Sequence, residues 1–428
     1  MPLPENLVTG DCLNHTRKSF LSADDSFPAF LKEITPEKKI ENEAYAASVL
    51  AQMKDQLQSF PRLSFRRKSW RKKTLAYIQK ILAEETIMNI HQVLSPVSRQ
   101  AFLSELTVFW QNVRQFAPEL ASDGIGQAIR NYTVYMMFVE MHSLEHSFYL
   151  PAYGYSMLYP FTDNYIDSAE YTSSQKKAYN RLIREKLEGK PVSPDSTYGK
   201  KTCELLSAAM LERSSEDSQE RKSCLSQLLL LMLDAQEQSL AQMQDTTEPT
   251  TPATTLTQDE CLDISLYKGG ISVLTDRYYV NLPLSDQDLK FYFGFGFFLQ
   301  LADDLQDIAE DSQLLRSTLF TLNKRTDANE KLVNRILHYV NQLFASFSEE
   351  KNQSFRDFVC YSSCLLIIYS AAGSRDFFSE EYLTRLEAFC PVRFSFLEKN
   401  RKNPLLSQEM LQNGNSTDLL SLLDELLS

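Results

Sequence analysis

The segment LVNRILHYVNQLFASF, from Leu332, returns an apolar side chain at every third or fourth position, and TLAYIQKILAEETIMNIHQVL from Thr74 does the same. That period is one face of an α-helix, whereas a half-buried strand alternates. Alternating runs are hard to find elsewhere. Glycine is scarce at 12 of 428 residues and proline modest at 16, so few tight turns are available to close a sheet. The expected fold is therefore all-α. SCLSQLLLLMLDAQEQSLAQM from Ser223 and CYSSCLLIIYSAAG from Cys360 are apolar around more of their circumference. Both are expected deep in a bundle, too short or too interrupted to cross a bilayer.

The clearest interruption is DTTEPTTPATTLTQDE, where repeated Thr and Pro offer no apolar face. The layout that follows is one helical domain over 1–428: an N-terminal extension over 1–110, a bundle over 111–400 and a flexible Thr/Pro loop over 245–260. A weaker break is expected at GKPVSPDSTYGKK, from Gly189.

A net charge of −12 argues against nucleic acid, which is bound through surplus Lys and Arg. The local exception is RLSFRRKSWRKK, from Arg62 to Lys73, which suits a diphosphate, an anionic membrane surface or plain solvation. Seven scattered cysteines outline no disulfide framework and no zinc set, and fit a reducing compartment. With no signal pattern at the N-terminus, the expectation is a soluble, cytoplasmic protein with at most peripheral membrane contact. The C-terminal DLLSLLDELLS is amphipathic enough for a core or for a homodimer interface.

Chemistry concentrates in FYFGFGFFLQLADDLQDIAED, from Phe291. A helix there sets Asp303 and Asp307 four residues apart on one face, with Asp304 beside them and Gln300 and Gly296 one and two turns earlier. Like charges so placed repel unless a cation neutralises them, and hard carboxylate oxygens suit Mg²⁺. Upstream, YPFTDNYIDSAEY repeats the spacing in Asp163 and Asp167, with Asn164 between them. Two acid pairs, each beside aromatic sequence, are what a cavity with metal at its mouth and hydrocarbon in its depth requires.

At these residues the chain resembles the trans-isoprenyl diphosphate synthase-like superfamily, in which two DDxxD motifs on opposed helices hold magnesium and diphosphate. Asp303, Asp304 and Asp307, with the preceding GFFLQ, match the second motif. In the first, Asn164 replaces the second aspartate, and Pro160 is expected to kink the helix or mark its first turn. LYKGGISVLTDRYYV resembles the family's lysine-bearing kinked helix, which implies that Lys268 reaches the diphosphate. Arg316, and Arg181 or Arg184, are further candidates for that charge.

The motifs by which elongating synthases bind isopentenyl diphosphate are not evident, nor is the Asn/Ser/Glu metal triad of the usual terpene cyclases. What remains looks like the bacterial large terpene synthases. The resemblance implies a single bundle of the isoprenoid synthase type with extra N-terminal helices. It also implies about three Mg²⁺ held by Asp163, Asp167, Asp303 and Asp307, and ionisation of a prenyl diphosphate to a linear or cyclic terpene. Tyr153, Tyr155, Phe293 and Phe297 would flank the prenyl tail, unless they are core packing. The two acid groups are expected to wall one shared hollow. A chain-elongating synthase and a non-catalytic helical binding subunit are the alternatives.

Overall fold

The computed structural model describes residues 10–168, 170–211, 219–243, 256–323, 325–347, 352–402 and 419–427. Among them there are helices and no strands. In chain order they are α1 (Cys12–Ser22), α2 (Pro36–Gln58), α3 (Ser64–Glu84), α4 (Ile90–Val93), α5 (Pro96–Phe116) and α6 (Ser122–Met141). There follow α7 (Leu150–Asp167), α8 (Ser173–Leu187), α9 (Thr197–Ala209), α10 (Gln219–Ser239), α11 (Gln258–Tyr279) and α12 (Asp286–Gln306). The chain continues through α13 (Ile308–Gln313), α14 (Thr326–Ser346), α15 (Gln353–Gly373), α16 (Glu380–Glu387), α17 (Phe394–Lys402) and α18 (Leu419–Leu427). The all-α expectation holds. The Thr/Pro loop lies outside the described residues over 244–255.

Two compact units account for the packing: residues 1–29, 127–143 and 149–383 in the first, and 30–126, 144–148 and 384–428 in the second. In the second unit, Trp70 of α3 packs with Phe60, Leu422 and Leu426. Asp424 of α18 accepts from Trp110 and Arg114 of α5. The apolar stretch from Thr74 is not one helix. After α3 the Glu85 carboxylate takes the backbone N–H groups of Ile87, Met88 and Ile90, and Asn89 adopts a left-handed φ of 54°.

The first unit is built on α11 and α12. Each opens on a capping box, Thr257 with Glu260 and Ser285 with Asp288, which satisfies backbone donors that a helix start leaves orphaned. Between the caps, α12 buries aromatic side chains on every side, from Phe291 to Phe298, because α1, α11, α14 and α15 surround it. α14 instead buries one stripe, Leu332, Val333, Ile336, Leu337 and Val340, as its periodicity implies. α15 departs from expectation in one respect. It is long and apolar enough to cross a bilayer by length and composition. Here it packs in the bundle against α12 and α14.

Two helix crossings in this unit are backbone to backbone. A Cβ added to Gly296 would lie 2.0 Å from the Gly269 carbonyl oxygen, and one added to Gly154 of α7 would lie 2.6 Å from the Ala209 nitrogen of α9. Only glycine permits such approach.

Candidate functional site

The Gly269–Gly296 crossing fixes the register of α11 on α12, and Lys268, next to Gly269, lies within electrostatic reach of Asp304. Asp304 is buried, accepting from Gln300 Nε2 at 2.9 Å and from Ser265 Oγ of α11 at 3.2 Å. Burial drives its carboxyl up to about 7, with Asp303 and Asp311 adding repulsion, while the Gln300 hydrogen bond and the Lys268 charge pull the other way. Asp303 and Asp307 face solvent. The Asp307 carboxyl is raised by desolvation, then by the charges of Asp303 and Glu310, and lowered by Arg316. Asp311 is buried and pushed up to about 6 by desolvation, with Arg316 opposing, its Nη1 at 3.5 Å.

The α12 end is thus a set of acids that repel one another, with Lys268 and Arg316 as nearby cations. Sequence reasoning missed Asp311 and Ser265. Asp311 continues the four-residue spacing of Asp303 and Asp307 by one more step, a signal that was present. Ser265 carried none.

The other acid group stands on α7. Pro160 lies inside this helix, not in its first turn, which begins at Leu150. The last turns are pinned from outside: Tyr179 and Tyr198 donate to the Phe161 carbonyl at 2.9 and 2.8 Å. Tyr165 stacks between Tyr171 and Tyr179, with centroids 3.8 and 4.1 Å away. Asp163 is half-buried and accepts from Gln236 Nε2 of α10 at 2.7 Å and from Thr162 at 3.1 Å. Asn164 is exposed. Asp167 ends the helix, and its side chain lies outside the described residues.

Beside Asp163 is a cavity of about 40 Å³ lined by Tyr155, Tyr159, Leu206, Met232 and other residues of α7 to α10. That is room for about three waters. No residue of α12 lines it, so this cavity is not the expected hollow walled by both acid groups. The helices that carry the two groups both contact α11, at points about two turns apart. Asp304 reaches Ser265, and one turn before Asp163 the Tyr159 hydroxyl lies 2.5 Å from Ser272 Oγ.

The remaining candidates are dispersed. Arg184 is held by Asp234 and Glu237 of α10, at 2.7 and 2.9 Å, and Arg181 is exposed beside Glu185. Phe293 is fully buried against Gly270, Phe297 packs edge-on to Phe20 at 5.0 Å, and Tyr153 is buried. Tyr155 alone of the expected aromatics lines the cavity.

Among the described residues no three His, Cys, Asp or Glu side chains form a group that could hold a metal ion unaided. Mg²⁺ asks less. It keeps several waters and is usually held by one or two carboxylates plus substrate phosphates. Asp303 and Asp307, exposed and mutually repelling, fit that requirement, whereas both oxygens of Asp304 are already engaged. No family model, curated protein or solved structure matches the chain. The likeness to prenyl synthases therefore rests on the motif residues themselves.

Proposed function

We propose that the protein is a magnesium-dependent terpene synthase of the class I isoprenoid kind, which ionises a prenyl diphosphate and releases diphosphate with a linear or cyclic terpene. The observation that carries this reading is the α11–α12 pair. A backbone-to-backbone crossing sets Lys268 close enough to act on Asp304, one residue from the exposed Asp303 and one turn from the exposed Asp307. Asp303 and Asp307 would hold the metal, with Asp163 and Asp167 as the second group. When bound, magnesium supplies Lewis acidity to the leaving diphosphate.

The chain's own groups have separate tasks in this scheme. Lys268 and Arg316 place positive charge where phosphate oxygens would collect. Gln300 and Ser265 hold Asp304 turned inward, while Asp303 and Asp307 stand exposed. The exposed Leu314 and Leu315, next to Arg316, offer apolar contact beside the acids. A prenyl tail entering beside Asp163 has to displace side chains, because about 40 Å³ cannot hold it.

That last point favours a second reading, a helical binding subunit that keeps the fold without the chemistry. One experiment separates the readings. Purified protein in Mg²⁺ is given a panel of allylic diphosphates, with and without isopentenyl diphosphate, and products are followed by mass spectrometry. An apolar product from the allylic substrate alone supports the synthase, a longer diphosphate made only with isopentenyl diphosphate assigns elongation, and no turnover of any substrate assigns the binding subunit.

A further inference from the structure

The outward face of α3, in the second unit, is unlike the rest of this acidic chain. No Asp or Glu occurs between Asp55 and Glu84, while Arg66, Lys68, Lys72 and Lys73 are all exposed. These are not the cations that hold the helix in place. Arg67 pairs with Glu425 at 3.3 Å and stacks over Phe60, and Arg71 donates to the Leu426 carbonyl at 3.1 Å. Trp70, buried, donates to the Gln56 carbonyl at 2.8 Å. The inward face is thus a finished packing surface, and the outward lysines take no part in it.

At the start of the same helix two apolar side chains stand in water, Phe65 at 74% exposure and Leu63 at 52%. Arg66 lies over the Phe65 ring, 5.6 Å from its centroid. The first turn has neither an acid nor a side-chain cap, so the sequence forgoes the local stabilisation a helix start ordinarily receives. An apolar tip ringed by cations, on a rigidly held helix, matches an interface that is anionic outside and greasy beneath. Single-stranded nucleic acid would stack a base on Phe65, but it leaves Leu63 unexplained and meets a chain of net charge −12.

We infer that the outward face of α3 docks on an anionic lipid bilayer, with Phe65 and Leu63 entering the headgroup boundary and Arg66, Lys68, Lys72 and Lys73 meeting lipid phosphates. This stands whether or not the α12 site binds a diphosphate. The test is co-sedimentation of the full chain with vesicles of phosphatidylcholine alone and of equal parts phosphatidylcholine and phosphatidylglycerol, at low and high salt. Binding to the mixed vesicles only, weakened by salt, is expected. Lys68→Gln with Lys72→Gln lowers affinity about thirtyfold, and Phe65→Ser about tenfold, both with unchanged helical circular dichroism. Equal binding to both vesicle types, no binding to either, or variants that bind like the parent overturn the assignment. So does single-stranded RNA that displaces the vesicles, which would give the face to nucleic acid.

Discussion

Helix α11 meets its neighbours in two different ways. Toward α12 it presents glycine, and the backbones touch at Gly269 and Gly296. Toward α7 and α6 it presents hydroxyls and a buried acid. The Ser272 carbonyl accepts from Tyr155, the Ser272 hydroxyl pairs with that of Tyr159, and Asp276 accepts from Asn131 Nδ2 at 3.1 Å. The glycine side is rigid by exclusion, because no side chain fits between the helices. The polar side is held by groups that can exchange partners, and two of them, Tyr155 and Tyr159, also line the small cavity among α7 to α10. A site needing fixed charges and an adjustable pocket would divide its work in this way.

The largest effect is expected from breaking the rigid side. Gly296→Val forces side-chain atoms onto the Gly269 carbonyl and should cost about 3 kcal/mol in chemical denaturation. A loss under about 1 kcal/mol would mean the crossing relaxes freely. Next is Lys268→Ala, which should lower product formation about a hundredfold. Arg184→Ala, whose partners are Asp234 and Glu237, should leave it within about threefold, since a shift that small is under about 1 kcal/mol in the barrier. Equal losses in the two variants would remove the special place given to Lys268.

The polar side should show itself in pH dependence. Burial holds the Asp276 carboxyl well above the usual carboxylate range, with the Asn131 hydrogen bond opposing. Its stabilising contribution is therefore complete below the unfolded value and is lost as pH rises toward the folded one. Asp276→Asn has no such proton to lose. Its stability relative to the parent should improve from acid to mildly alkaline pH in urea titrations, and a pH-independent gap would contradict the assignment. The smallest effect belongs to Tyr159→Phe, which gives up the hydroxyl's bonds to Ser272 and Tyr155 for about 1 kcal/mol, read as a shift in the same titrations. No measurable change there would show that the Tyr159 hydroxyl holds nothing.

Much of this architecture was legible in advance, for identifiable reasons. Helix period is local, so α14 and α15 appear where Leu332 and Cys360 announce them. The acid pairs were visible because four-residue spacing is itself the geometry of a helix face. Pairing between helices is not local. Nothing around Gly269 states that Gly296 lies against it, and nothing in LTDRYY marks Asp276 as buried rather than solvated. Phe293 and Phe297 looked like cavity walls because aromatic residues near acids have the same sequence signature whether they line a pocket or fill a core. Glu85 ended a helix that apolar spacing alone would have continued, since its carboxylate captures three backbone donors.

In the proposed function, Asp303 and Asp307 are the carboxylates that serve an allylic diphosphate. Its most direct test is the rate of inorganic diphosphate release in Mg²⁺ for the parent and for Asp303→Ala combined with Asp307→Ala, with circular dichroism confirming the fold. Release by the parent and a loss of about a thousandfold in the double variant are predicted. Unchanged release in the variant, or none from the parent with any prenyl diphosphate, would contradict the account.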